Sequence, residues 1–127
     1  MIHTEEFQEF LNSPAFLEPL DLDAAPEFTP LGQGEYNVNY TFNHPDGRKL
    51  VLRINRGSQM QLNDQIGYEF SALKALESSG RTPKAIFCDS GYNCLVMEHL
   101  PGRPLRYETD MEAAAEIFAD IHALPPA

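Results

Sequence analysis

The chain is 127 residues long, 43% hydrophobic and 22% charged, which is enough apolar material for one packed domain and excludes wholesale disorder or two full domains. Asp and Glu outnumber Lys and Arg by 19 to 9, a formal charge of −10, and a surface of that sign repels phosphate backbones and anionic lipid heads, so nucleic-acid and membrane partners are disfavoured. No apolar run approaches the roughly 20 residues of a membrane span, and the start MIHTEEFQEF lacks the basic and apolar regions of a secretion signal; the expected compartment is the cytoplasm, with Cys88 and Cys94 as reduced core thiols.

Residues 4–12 begin with Thr4 as a candidate N-cap and carry Glu5 and Glu6 in the first turn, where the positive end of the helix dipole favours carboxylates. A short amphipathic helix is predicted, stopped or restarted at Ser13-Pro14, and the prolines between 19 and 30 read as an irregular lead-in. From Phe28 to Ile54 the pattern turns to strands. The glycine-marked turn LGQGEYN, the run VNYTF, the turn NHPDG and the run RKLVLRI predict an antiparallel three-stranded meander. Side chains alternate along a strand, so Lys49, Val51 and Arg53 share one face, and Leu50, Leu52 and Ile54 share the other, which is core.

Apolar residues at Leu62, Ile66, Phe70, Leu73 and Leu76 recur at spacings of three and four, and Gly80 lies just past the end, so a helix is predicted over 62–78. Two strand-like runs in KAIFCDSGYNCLVMEHL flank a turn at Asp89, Ser90 and Gly91 and predict a second hairpin, followed by the proline-bounded loop PGRPL. The last helix carries a capping-box pattern, Thr109 with Glu112, and an apolar stripe at Met111, Ala114, Ala115, Phe118 and Ile121. That stripe predicts association of two chains through residues 108–124, since monomers rarely tolerate such a patch. His44-Pro45-Asp46 reads as turn chemistry.

The order β-β-β-α-β-β-loop-α, with placed residues inside it, resembles the small lobe of the eukaryotic-like kinase fold, in its aminoglycoside phosphotransferase and choline kinase-like branch, over about residues 28–124. The resemblance implies an α+β fold: a five-stranded antiparallel sheet with one central helix, plus an N-terminal helix and the first helix of a large lobe. It divides the chain into a helical lead-in over 1–27, a nucleotide-binding lobe over 28–100, and a hinge loop with the first large-lobe helix over 101–127. Gly32 and Gly34 mark the turn where backbone amides approach phosphate, Asn37 completes the glycine-to-asparagine spacing of the branch, and Val38 stands where a side chain covers adenine. Arg53, in LVLRI, takes the place of the third-strand base that contacts the α- and β-phosphates, with arginine where protein kinases have lysine. Glu69 shares a helix face with Ile66 and Leu73 and is implied to pair with Arg53. Met97 matches the gatekeeper, and the Glu98 carbonyl and Leu100 amide match the main-chain groups that meet the adenine edge.

The same resemblance implies ATP and Mg²⁺ as cofactors of a full-length enzyme that moves the γ-phosphate to a hydroxyl of a small molecule. The catalytic aspartate, the asparagine after it and the metal-binding aspartate belong to the large lobe. The sequence contains no HGD or HRD loop and no DFG-like triplet, so a lobe inactive alone is expected, binding neither cofactor firmly. The alternative is a stand-alone, non-catalytic kinase-like module for binding or interaction. Aminoglycoside, choline, homoserine, sugar and macrolide acceptors are all compatible.

Overall fold

The computed structural model describes residues 5–33, 37–56, 64–102 and 105–125. Thr4, Gly34 and Leu62, named above, lie outside them. Helix α1 spans Glu5–Leu11, and the chain restarts after Ser13 as a single turn, α2, at Pro14–Leu17. Proline is tolerated there because the first helical amide has no intrahelical acceptor to lose. Strands β1 (Thr29–Gln33), β2 (Asn37–Asn43) and β3 (Lys49–Asn55) form the expected meander. Helix α3 (Gln65–Leu76) tightens into a 3₁₀ turn at Glu77–Ser79, and Gly80 closes it at φ 71°. Strands β4 (Ala85–Asp89) and β5 (Cys94–Glu98) make the second hairpin, and α4 covers Tyr107–His122.

The five strands form one antiparallel sheet in the order β1-β2-β3-β5-β4. This α+β arrangement, with one helix packed on a five-stranded sheet, is that of a kinase-like N-lobe.

Strand alternation gives the sheet two separate faces. On one, Tyr40, Phe42, Leu50, Leu52, Cys94 and Val96 join a core with Phe7, Phe10, Leu11, Phe16, Leu20 and Leu22 of the lead-in. The lead-in therefore shares the lobe's main core. Its aromatic rings interlock: Phe16 meets Phe10 at 5.6 Å and Phe87 at 5.9 Å edge-on, while Tyr92 stacks on Phe10 at 4.1 Å. His44 ties the same segment to the first hairpin. Its Nδ1 accepts the Asp46 amide at 3.1 Å, which leaves the proton on Nε2 to donate to the Leu20 carbonyl at 2.7 Å. The turn reading of His44-Pro45-Asp46 holds, and the buried ring adds a tertiary contact to it.

On the other face Val51, Leu95, Met97 and Ala85 pack against Ile66, Phe70 and Leu73 of α3. The start of α3 is anchored by Asp64, whose Oδ1 accepts the Gly67 amide at 2.9 Å and the Ser90 hydroxyl at 2.8 Å. A Cβ on Gly67 would run into that carboxylate. Glycine at 67 thus costs helix propensity but makes room for the cap.

One expectation needs correction. Helix α4 starts at Tyr107 and not at Thr109; its capping contact is made by Asp110, whose Oδ2 accepts the Arg106 amide at 2.7 Å, while Thr109 hydrogen-bonds Asp110 Oδ1 at 3.1 Å. A carboxylate one helical turn in reaches back to the N-cap amide, and this outcompetes the Thr109 pattern. Cys88 and Cys94 are reduced thiols of the core, as expected, with Cys94 fully buried and Cys88 partly so. Their register partners are Leu95 and Asp89, so the thiols sit on opposite faces of the sheet, and both are free. Burial pushes the Cys94 thiol up to about 12 and raises that of Cys88 as well.

No helix among the described residues is long and apolar enough to cross a membrane. Along α4, Tyr107, Met111 and Phe118 are exposed, and Arg81 Nε reaches Asp120 Oδ2 at 2.8 Å.

Candidate nucleotide-binding cleft

The α3 face of the sheet is only partly covered. Beyond the helix, between β1 and the segment after β5, it opens into a cleft of about 640 Å³. Leu31, Val51, Met97 and Leu100 supply apolar walls, and Asn39, Arg53, Glu98 and His99 the polar groups. A second hollow of about 400 Å³ lies toward α3 and shares Arg53, Pro83 and Met97 with the first, adding Tyr68 and Glu69. Arg53 therefore stands at the junction of two openings.

Its placement follows from local rules. Arg53 is an odd residue of β3 and shares the cleft face with Val51 and with its register partners Asn39 and Leu95. Glu69 lies one turn beyond Ile66, which is fully buried under the sheet. The carboxylate is thereby carried to the strand: Arg53 Nη1 meets Glu69 Oε2 at 3.3 Å. Both side chains remain partly open, at 30% and 20%, so the pair contributes about 0–1 kcal/mol to stability and serves chiefly to direct the guanidinium. The strand-to-helix proximity of Arg53 and Glu69 that the resemblance implies is what the structure shows.

The other candidate residues fall into place unevenly. Gly32 lies in β1 opposite Asn39, with nothing within 4 Å of where a Cβ would be, so its backbone is open to close approach. Asn37 is on the cleft face, where its Oδ1 accepts Asn55 Nδ2 at 3.1 Å. Met97 is buried at the cleft floor opposite Val51. Glu98 turns its carboxylate to the Lys84 amide at 3.0 Å, and Leu100 is half exposed at the rim.

Val38 is the exception. It pairs with Ile54 and packs toward the lead-in core on the opposite face. It cannot cover a base lying in this cleft. The residue in line there is Asn39, so the Val38 assignment was one position out of step with strand alternation.

Asn39 went unremarked as a site residue, although alternation from Arg53 through a seven-residue hairpin register marks it. Its Oδ1 accepts Arg53 Nε–H at 3.0 Å. Leu31 was missed for a different reason: in β1 the register shifts between Pro30 and Gly32, and no sequence signal locates such a bulge.

Among the described residues no group of three or more His, Cys, Asp or Glu side chains comes together to hold a metal ion. No Mg²⁺ ligand is therefore assigned to them.

In comparison with known families, the model of the phosphotransferase enzyme family matches residues 27–127. No curated protein matches the chain. With so long a match laid over this sheet and helix, the chain belongs to the phosphotransferase enzyme family, the group of aminoglycoside phosphotransferase and choline kinase-like proteins.

Proposed function

We propose that the cleft face of this lobe binds the nucleotide of an ATP-dependent phosphotransferase whose acceptor is the hydroxyl of a small molecule. The observation that carries the reading is the Arg53–Glu69 pair, set across strand and helix at the junction of the two hollows. ATP, when bound, supplies the transferable γ-phosphoryl group. Arg53 contributes a fixed positive charge and a planar set of N–H donors suited to phosphate oxygens. Glu69 keeps that fork from swinging into solvent. Val51, Met97, Leu31 and Leu100 offer an apolar slot of the kind a purine ring fills. Gly32 leaves the β1 backbone accessible, and the main chain at Glu98 and Leu100 lies along the same rim.

The residues that would take the hydroxyl proton are another matter. The sequence has no HGD or HRD loop, so the 127 residues by themselves are expected to transfer no phosphate. Nucleotide affinity is expected in the millimolar range, about −4 kcal/mol, because one wall of charge is provided here and no metal-holding cluster occurs among the described residues.

Titration of the ¹⁵N-labelled chain with ADP tests this reading. Shifts should concentrate on Gly32, Asn39, Val51, Arg53 and residues 97–100. Shifts confined to the lead-in face would refute the assignment, and low-micromolar affinity or turnover copurifying with the 127-residue species would overturn the expectation of weak binding and no transfer.

A further inference from the structure

We propose that Asn39 is the positioning residue for Arg53, and that the arginine and the asparagine work as a unit presented to a polyphosphate; the polyphosphate part rests on the nucleotide-binding reading above. Asn39 and Arg53 are register partners on β2 and β3, on the cleft face. Asn39 Oδ1 accepts the Nε–H at 3.0 Å, and Glu69 Oε2 accepts from Nη1 at 3.3 Å. The amide orientation is fixed by chemistry: Nε of a guanidinium only donates, so the atom facing it has to be the oxygen.

Two acceptors on different edges of a planar group remove its freedom to rotate about its long stem. Glu69 alone, a single contact at 3.3 Å with both partners partly solvated, leaves the plane free to pivot. Asn39 supplies the second point. What remains uncommitted among the described residues is the Nη2 side of the fork, on a cation that lines the cleft.

The choice of amide matters as much as its position. A carboxylate at 39 would hold Nε–H more tightly, yet it would set a second negative charge beside the anion the arginine is to receive. An amide orients the guanidinium without cancelling its charge. It also explains why arginine and not lysine stands at 53, because an ammonium has no Nε–H for the β2 side chain to grip. In this lobe, the β2 asparagine and the β3 arginine are each the reason for the other.

The test uses the full chain with inorganic triphosphate as the probe and two readouts: solvent exchange of the Arg53 Nε–H by NMR, and triphosphate affinity from shift titration. In N39L, which keeps the branched outline but is unable to accept, Nε–H exchange should accelerate on the order of tenfold and triphosphate affinity fall about fivefold. In N39D, exchange should slow while affinity falls, a divergence that a merely structural role would not give. In the R53K background, N39L should cost no further affinity. Unchanged Nε–H exchange in N39L would overturn the proposal, as would the same fractional loss of affinity in both backgrounds. Should N39L not fold, N39A gives the same comparison, with folding checked by urea titration. If triphosphate leaves wild-type Arg53 unmoved while N39L still releases its Nε–H, the positioning role stands and the nucleotide reading fails.

Discussion

Phe16 lies at the centre of the lead-in, fully buried, with its ring edge-on to Phe10 and Phe87 and tilted against Phe28 at 6.5 Å. Replacing it by alanine removes a ring held by three separate segments, which cannot all close on the void. Phe-to-Ala losses run about 3–5 kcal/mol, and a site so ringed belongs near the middle of that range or above, about 4 kcal/mol. Domains of this class have about 5–15 kcal/mol in total, so a quarter or more of the stability is at stake. An unfolding entropy of about 2.1 cal/mol/K per residue gives roughly 0.27 kcal/mol/K here, so F16A should melt about 15 °C lower. Thermal and urea unfolding of F16A beside F118A make the measurement, because Phe118 is 63% exposed on α4 and its loss should cost under about 1 kcal/mol. Equal effects of the two substitutions, or an F16A loss under about 1 kcal/mol, would refute the integration of residues 5–22 into the lobe's core.

Tyr40 is buried with a hydroxyl that has no partner among the described residues, so Y40F should be neutral or stabilising by up to about 1–2 kcal/mol in urea titration, and a clear loss would expose a partner for that oxygen. Both thiols are raised by burial, with Cys94 at about 12, so at pH 8 roughly one Cys94 in ten thousand is thiolate and iodoacetamide should label Cys88 first, with Cys94 labelled only on unfolding. The backbone amide of Arg48 and then its guanidinium hold the Asp46 carboxyl below its ordinary value. A lowered folded value means stabilisation present above the ordinary 3.8 and lost as pH falls through the folded value, so urea midpoints of wild type and D46N should differ at pH 6 and converge in acid. Finally, the exposed apolar residues of α4 predict self-association in sedimentation that strengthens with salt, as Glu108, Glu112 and Glu116 repel less.

What could be foreseen divides along physical lines. The β2–β3 hairpin was legible because NHPDG is a turn by local chemistry and the flanking residues alternate cleanly. The faces of Arg53 and Glu69 followed from strand and helix periods, each anchored by a buried neighbour, Leu52 and Ile66, while their pairing was what the resemblance implied. The Val38 assignment failed by one residue: the position came from spacing after a glycine turn, and the side it faces is set by pairing with Ile54. The lead-in was legible as short helices but not as core, because only tertiary packing brings Phe10 and Phe16 onto Tyr92 and Phe87. Asp110 as the α4 cap was hidden behind an equally good local pattern at Thr109.

Throughout β2 and β3, the even-numbered side chains Val38, Tyr40, Phe42, Leu50, Leu52 and Ile54 face the lead-in, while Asn39, Val51 and Arg53 face the cleft. Such a sheet is far less forgiving of length than of composition. Deleting one residue from the middle of β3 would send Arg53 beneath the phenylalanines and bring a leucine to the cleft, an exchange no single substitution can produce. Extra residues are best absorbed outside the ladder, at the exposed tip of the first hairpin over 45–47, beyond the buried His44, where a tag or a reporter can be inserted without reversing the two sides of the molecule.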